Sequence, residues 1–210
     1  MMKDYSWTKK EKHEEEPKTI QSGRIGQIED SKVSFVETVE NRVYFYSRIE
    51  TEKILQLNRN IRNMGINLQR EAANQERQPA NIFLHIQSYG GSVFAGMAGM
   101  DEIIKSIVPV YTIVDGCCAS AATFLSICGK KRFINQHAYM LIHQLSSIIW
   151  GKYEEFKDEM QNLDKIMEMI KQIYAEYTSI PVKKLEEILK HDLWFDANEC
   201  LKYNLVDEIL

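Results

Sequence analysis

Residues 82–92 read IFLHIQSYGGS, and this stretch decides the fold. Its first five residues are mostly apolar and predict a buried strand, and the polar turn that follows carries the pair Gly90 and Gly91. Two glycines let the backbone turn sharply and approach a ligand closely. Residues 93–107 (VFAGMAGMDEIIKSI) have a helical pattern, so a buried strand passes directly into a helix. Strands that alternate with helices predict an α/β fold with a largely parallel, buried sheet.

The flanking sequence continues the alternation of strands and helices. Runs of β-branched, aromatic and other apolar residues predict further strands at 41–46, 110–114, 132–134 and 139–143. Apolar residues at helical spacings, and in one case a run of small residues, predict helices at 51–75 and 117–126. We expect the crossover connections between the parallel strands to be right-handed.

One predicted helix is much longer than the others. Apolar residues recur at steps of mostly three and four across residues 150–177. This pattern predicts about seven turns, or ~40 Å at 1.5 Å per residue. A small domain has little core to cover such a helix. The pattern alone fits projection into a subunit interface and packing across the sheet equally well.

The composition is that of an ordinary globular chain. The 210 residues include 26 Lys and Arg against 30 Asp and Glu, which gives a formal net charge of −4. This length suits one domain, and a mildly acidic chain without a concentrated basic face gives little support to nucleic-acid binding. No apolar run approaches the ~18 residues that a membrane span needs. The first residues lack the apolar core of a secretory signal, so we expect no membrane association and a cytoplasmic location.

The N-terminus and the cysteines suggest no further site. Residues 1–30 are mostly polar and charged with both signs mixed, and we expect a mobile tail ahead of a domain at 31–210. The four cysteines include no pair at CxxC spacing, and the histidines complete no zinc pattern. We therefore expect reduced, buried thiols and neither a metal nor another cofactor.

Three side chains stand where an α/β sheet presents catalytic groups. Ser120 follows the strand at 110–114 among small residues, and a helix start beside its hydroxyl favours nucleophilic attack. His143 closes an apolar strand and is a candidate base, and Asp192 lies near aromatic residues and could orient an imidazolium. The amides of the glycine pair could hold an oxyanion, and their loop lacks the patterns of nucleotide-binding loops. Taken singly, each feature also fits an ordinary packing, capping or turn role.

Four segments occur together in the order and spacing of a known family. They are IFLHIQSYGGSVFAGMA at 82–98, VDGCCASAATFLSICGKKRF at 114–133, YMLIHQL at 139–145 and HDLWFDANECLKYNLVDEIL at 191–210. With them the chain, from about Asn41 to its last residue, resembles the proteolytic subunits of the Clp protease (ClpP), which are serine peptidases. The resemblance implies an α/β fold of the crotonase-like (ClpP-type) αββ spiral, with a head domain and a protruding handle helix at about 146–178.

The resemblance also assigns roles to individual residues. Ser120 matches the nucleophile of the family, His143 its general base and Asp192 the acid that orients the base. The backbone amides of Gly91 and Ala121 match the oxyanion hole. The positions that match substrate contacts are Gly90, Val93 and Leu145. The implied reaction is acyl transfer from a peptide bond.

The resemblance further implies partners. In the family, two seven-membered rings interlock through the handle helices around an internal chamber, and an AAA+ ATPase feeds in unfolded polypeptides. We therefore expect polypeptide substrates, a homo-oligomer of two stacked heptameric rings, and an AAA+ Clp ATPase. The resemblance favours an interface role for the long helix.

Several residues depart from the family pattern. Tyr89 and Leu145 stand where the family usually has proline, and residues 146–149 (SSII) lack the expected glycine pair. His85 stands in place of an aromatic residue of the surface that receives the ATPase. Three other functions stay open: a phage-type ClpP-like capsid-maturation protease, a non-catalytic ring subunit, and a crotonase-type acyl-CoA enzyme.

Overall fold

Strands and helices alternate along most of the fold. The computed structural model describes residues 35–148 and 150–210, so the tail predicted at 1–30 lies outside the described residues. The strands are β1 (Phe35–Val39), β2 (Arg42–Tyr46), β3 (Ile82–Ser88), β4 (Val110–Ala119), β5 (Lys131–Ile134), β6 (Tyr139–Leu141), β7 (Trp194–Phe195) and β8 (Glu208–Ile209). The helices are α1 (Thr51–Asn74), α2 (Val93–Ile104), α3 (Thr123–Ile127), α4 (Tyr153–Tyr177), α5 (Val182–Ile188) and α6 (Ala197–Lys202), with a 3-10 turn at Ser120–Ala122.

The strands form one mixed, mainly parallel sheet. Within the described residues it has eight strands, with the order β1-β2-β3-β4-β5-β8 along its main path and with β6 and β7 attached beside that path. The β1–β2 and β6–β7 pairs are antiparallel, and the other pairs are parallel. The predicted α/β class with a largely parallel sheet is confirmed.

The sheet divides at β4. The first half of β4 pairs with β5, and residues 117–119 pair with β6. The sequence predicted a helix from Cys117, and this prediction was wrong for its first three residues. Their backbone groups take part in the ladder to β6, so the strand continues where the small side chains alone suggested a helix. Helical structure begins at Ser120.

One face of the sheet is buried under helices. Along β3, Ile82, Leu84 and Ile86 are fully buried, whereas Phe83 and His85 on the opposite face are half-buried. α1 and α2 pack on each other over the buried face. The predicted burial of this strand therefore holds in full for only one face of the sheet. The other face is partly exposed, because aromatic and polar residues alternate with the aliphatic ones along the strand.

The long helix α4 is buried mainly near its C-terminal end. It has 25 residues and begins at Tyr153, three residues after the predicted start. Its buried residues are Ile170 and Tyr174, whereas Met160 and Met169 are at least half exposed. The prediction of a long amphipathic helix is confirmed. The described chain itself leaves much of the apolar face of this helix uncovered.

Candidate active site

Ser120 lies where β4 passes into the 3-10 turn. It adopts a φ of +56°, in the left-handed region that residues other than glycine rarely enter. Such a conformation costs on the order of 1–3 kcal/mol and persists only where the surrounding structure enforces it. Strain of this kind is concentrated at functional sites, and it marks Ser120 as more than a capping residue.

The glycine pair packs directly against this turn. Gly90 has a φ of +94°, and a β-carbon there would lie 2.7 Å from both the Ala119 carbonyl oxygen and the Ser120 Cβ. Gly91 has a φ of +150°, and a β-carbon there would collide with the backbone of Ile49. Each position therefore requires glycine. The close approach puts the glycine loop and the Ser120 turn in backbone contact.

The backbone of Ile49 also sets the direction of the Gly91 amide. The Ile49 N–H donates to the Gly90 carbonyl at 2.9 Å, and the Ser92 N–H donates to the Ile49 carbonyl at 2.8 Å. Gly91 is the middle residue of this parallel bridge, so its own N–H points away from Ile49. This orientation suits a donor to a bound oxyanion.

The pairing of β6 with β7 brings His143 and Asp192 together. The antiparallel register sets Leu141 opposite Trp194. Two residues further along, the same register sets His143 opposite Asp192, and His143 Nδ1 lies 3.4 Å from Asp192 Oδ1. The sequence predicted that His143 ends the strand, but β6 ends at Leu141 and His143 follows it in the loop. The antiparallel pairing of β6 with β7 still brings the two side chains together.

Solvent reaches this pair mainly from the aspartate side. The His143 side chain is 24% exposed and the Asp192 side chain 58%. The distance of 3.4 Å between them is longer than a strong N–H···O bond. Catalytic hydrogen bonds are often long without substrate and tighten when it binds. A carboxylate on Nδ1 holds the proton there and leaves Nε2 free to act as a base.

A cavity of about 280 Å³ collects most of the predicted site residues. Its wall includes Gly91, Val93, Ser120, Ala121, His143 and Leu145. Among the described residues, Gly90 and Asp192 are not part of this wall. Gly90 packs against the Ser120 turn and Asp192 contacts His143, so both lie one layer behind the cavity.

The rest of the wall comes from residues that the sequence did not single out as site residues. Apolar side chains form about half of it: Phe94 from α2, Phe124 from α3 and Leu163, Ile166, Ile170 and Tyr174 from α4. Glu159 from α4 also lines the cavity. The helical spacing marked the apolar α4 positions as one face of that helix. It could not tell whether this face meets the site or a partner.

Burial keeps Cys118 and Cys200 in the thiol form. Burial raises the pKa of Cys118 well above its usual value and raises the pKa of Cys200 to about 12. Thiols of this kind are poor nucleophiles. None of the four cysteines, which all lie within the described residues, forms a disulfide, and three of them are buried. Within residues 35–148 and 150–210, no three His, Cys, Asp or Glu side chains are grouped as a metal site needs.

A second His–Asp pair lies on the opposite face of the sheet. His85 Nδ1 is 3.0 Å from Asp115 Oδ2, a shorter distance than in the His143 pair. However, an Arg42 guanidinium nitrogen lies 2.7 Å from His85 Nε2. Because arginine can only donate, it occupies the nitrogen that a general base would use. The His85 pair is therefore unsuited to catalysis, and distance alone would have selected the wrong pair.

None of the described helices is both long enough and apolar enough to span a membrane.

Comparisons with known proteins identify the family of the chain. A family model described as Clp protease matches residues 37–210. Proteins named ATP-dependent Clp protease proteolytic subunit from Zea mays, Triticum aestivum and Oryza sativa subsp. japonica are each 36% identical to this chain over 131 residues. The aligned region covers 61% of this chain and 61% of the length of each relative. Because the family match extends over most of its length, the chain belongs to the Clp protease family.

Proposed function

We propose that this chain is the proteolytic subunit of an ATP-dependent Clp protease, a serine endopeptidase that cleaves polypeptides by acyl transfer. The observation that carries the proposal is the cavity shared by Ser120 and His143, with Asp192 at 3.4 Å from the imidazole. Ser120 is the nucleophile, His143 the general base and Asp192 the residue that orients the base.

The reaction proceeds through an acyl-enzyme. His143 Nε2 takes the proton from Ser120 Oγ as that oxygen attacks the carbonyl carbon of the substrate. The imidazolium then gives its proton to the leaving amine as the C–N bond breaks. A water molecule, deprotonated by His143, attacks the ester, and the imidazolium returns this proton to Ser120 Oγ as the acyl C–O bond breaks and the new carboxyl terminus is released. Asp192 keeps the Nδ1 proton in place and stabilises the imidazolium.

The backbone amides of Gly91 and Ala121 stabilise the tetrahedral intermediate. Both residues line the cavity beside Ser120. The carbonyl oxygen accepts hydrogen bonds from both N–H groups as it gains negative charge. One such donor typically lowers the activation free energy by ~2.7–4 kcal/mol. Glycine at position 91 adopts its positive φ without strain, whereas the positive φ of Ser120 is a conformational cost of this arrangement.

The substrate is an unfolded polypeptide. Val93 and Leu145 line the cavity and contact the peptide near the scissile bond, while Gly90 supports the loop from behind. Phe124, Leu163 and Ile166 form an apolar part of the wall. This surface favours a substrate with an apolar side chain on the residue that precedes the scissile bond.

The active form is a homo-oligomer of two stacked heptameric rings. The peptidase domain, residues 31–210, adopts the ClpP-type spiral with a head, and α4 within the region 146–178 is its handle. Uncovered apolar side chains on α4, among them Tyr153 and Met160, support an interface there. The relatives are named for dependence on ATP. We therefore include an AAA+ Clp ATPase as the partner. We also propose that the complex acts in the cytoplasm.

A fluorophosphonate probe tests the catalytic proposal. Such probes form a covalent adduct with an activated serine, so we expect the purified protein to be labelled and Ser120→Ala to remain unlabelled. The Ser126→Ala variant is a matched control, because Ser126 lies in the interior and should not react with the probe.

The sizing of the same samples tests the assembly proposal. We expect the labelled species to elute far above the 24.5 kDa of one chain. An assembled, unlabelled wild-type protein would contradict the peptidase proposal and would instead match a non-catalytic ring subunit. A labelled monomer would contradict the ring proposal and leave the chemistry intact.

A further inference from the structure

Two buried hydroxyl groups connect α4 to the turn that carries Ser120. Thr123 Oγ1 donates a hydrogen bond to the Ser120 carbonyl oxygen at 2.6 Å, and it also lies 2.6 Å from Tyr174 Oη. Because the one hydroxyl proton of Thr123 is used on the carbonyl, Tyr174 is the donor of the second bond. The bonds therefore run from the Tyr174 phenol through Thr123 to the peptide that follows Ser120.

Both hydroxyls lie in the protein interior. Thr123 is 0% exposed and Tyr174 is 1% exposed. The Tyr174 ring packs against Phe124, with ring centroids 5.9 Å apart. Burial raises the pKa of Tyr174, so the phenol keeps its proton and remains a donor at neutral pH. Bulk water cannot readily replace Thr123 in such a position, so loss of the Thr123 hydroxyl leaves the Tyr174 O–H unsatisfied.

The bonded carbonyl belongs to the same peptide unit as the Ala121 N–H. A trans peptide unit is planar, so its C=O and N–H point in opposite directions. When Thr123 holds the Ser120 carbonyl on the interior side, the Ala121 N–H is held on the other side, and Ala121 lines the cavity. Hydrogen bonds to the carbonyl also polarise the N–H of that amide.

We propose that Thr123 and Tyr174 are positioning residues that fix the peptide between Ser120 and Ala121, and with it both the nucleophile and one oxyanion donor. This inference rests on the peptidase function proposed above. It gives α4 a direct connection to the site, since Tyr174 belongs to that helix. A shift of α4 at Tyr174 would withdraw the bond from the phenol to Thr123 and leave the Ser120 carbonyl bonded to Thr123 alone, through its hydroxyl and its backbone N–H.

Three substitutions separate the hydroxyls from the packing. Thr123→Val keeps the shape and removes the hydroxyl, Thr123→Ser restores the hydroxyl, and Tyr174→Phe removes only the phenol oxygen. On a fluorogenic peptide we expect Thr123→Val to lower kcat by about 10- to 100-fold, less than the ~10²–10³-fold loss of a whole oxyanion donor, with KM nearly unchanged. Thr123→Ser should stay within about twofold of wild type in kcat, because its hydroxyl can make the same bonds.

The tyrosine variants supply the matched control. Tyr174→Phe should lower kcat in the same direction as Thr123→Val, and the double variant should be no slower than Thr123→Val alone, because both act on one chain of bonds. Tyr177→Phe makes the same chemical change on the same helix, outside these bonds, and should keep wild-type kcat. A general loss of packing would instead raise KM or reduce the assembled fraction.

Hydrogen–deuterium exchange supplies a readout that needs no activity. In the whole protein, we expect the amides of residues 119–125 to exchange faster in Thr123→Val and Tyr174→Phe than in wild type or Tyr177→Phe. An inactive wild type with this exchange pattern would refute the peptidase proposal and uphold the positioning role. Wild-type kcat in a folded Thr123→Val protein, or unchanged exchange in both variants, would overturn the positioning role.

Discussion

Asp192 contacts His143 from a largely solvent-exposed position, with a distance of 3.4 Å and 58% of its side chain exposed. Water can partly replace an exposed carboxylate in orienting the imidazole. We therefore expect Asp192→Asn to reduce kcat by less than the ~10⁴-fold loss that follows when a buried triad aspartate is changed. Steady-state kinetics against Asp101→Asn, which changes a similarly exposed carboxylate outside the site, measures this effect. A loss as complete as that of Ser120→Ala would contradict the exposed-acid argument.

The backbone geometry of Gly91 is expected to affect catalysis directly, because its amide is a proposed oxyanion donor. In Gly91→Ala the new methyl group collides with the Ile49 backbone, and the amide must move. We expect kcat to fall by about 10²–10³-fold, as for the loss of one oxyanion donor. Gly116→Ala is the control, because its β-carbon would meet only the flexible Gln87 side chain, at 3.0 Å. Equal kcat values in the two variants would exclude the Gly91 amide as a donor.

Some site residues could be predicted from the sequence and others could not. Ser120 and His143 follow predicted strands, and the order of the motifs pointed to both and to Asp192. The role proposed for Thr123 and Tyr174 depends on a contact between residues 51 positions apart. Periodicity identified Tyr174 only as part of an apolar helix face, and it says nothing of where a phenol oxygen on that face finds its partner.

At the scale of elements, the long periodic helices and the short strands β2, β5 and β6 were predicted, whereas other short elements were not. The predicted helix at 51–75 corresponds to α1, which ends at Asn74. Small residues at 117–119 suggested a helix, but pairing with β6 makes them strand. β1, β7, β8, α5 and α6 went unpredicted. Elements of two to seven residues owe their conformation chiefly to their neighbours in the fold, and local patterns carry too little of that information.

Arg132 joins the C-terminal end of α4 to the segment between α6 and β8. It donates to the Tyr177 carbonyl at 2.7 Å and to the Asn204 carbonyl at 2.8 Å, and its guanidinium also pairs with Asp207. Burial alone would raise the pKa of Asp207, but hydrogen bonds and charge from Arg132 outweigh it and lower that pKa. We expect Asp207→Asn to reduce the free energy of unfolding by about 1.5–3 kcal/mol at pH 7.

The pH dependence of this effect follows from the lowered pKa. A carboxyl group with a depressed pKa stabilises the folded state above its unfolded pKa, near 4, and this contribution is lost as pH falls through the folded value. The gap between wild type and Asp207→Asn should therefore narrow below about pH 4. Urea unfolding at pH 7 and below about pH 4 measures this difference in the free energy of unfolding. Glu208→Gln, which removes the carboxylate of an exposed ion pair, is the control. A gap that is constant with pH would rule out ionisation of Asp207 as its cause.

At the scale of the whole molecule, the proposed site depends on a helix that one chain does not fully cover. α4 supplies Leu163, Ile166, Ile170 and Tyr174 to the cavity wall. Further toward its N-terminus, Tyr153 is 71% exposed and Met160 is 52% exposed. One face of the helix thus forms part of the cavity wall, while other apolar side chains of the helix are exposed in the single chain. Assembly and catalysis are therefore expected to be linked through α4.

The variant Met160→Glu tests this link. If copies of the chain bury this side chain against one another, each glutamate forfeits roughly 1.5–3 kcal/mol of apolar burial and adds an unpaired charge. We expect light scattering to show smaller species and the fluorophosphonate labelling of Ser120 to slow. Gln161→Glu introduces the same charge at the next residue, which is also exposed but polar, and should leave both readings near wild type. A fully assembled Met160→Glu protein would place the interface elsewhere, whereas a dissociated protein that is labelled at the wild-type rate would separate assembly from the ordering of the site.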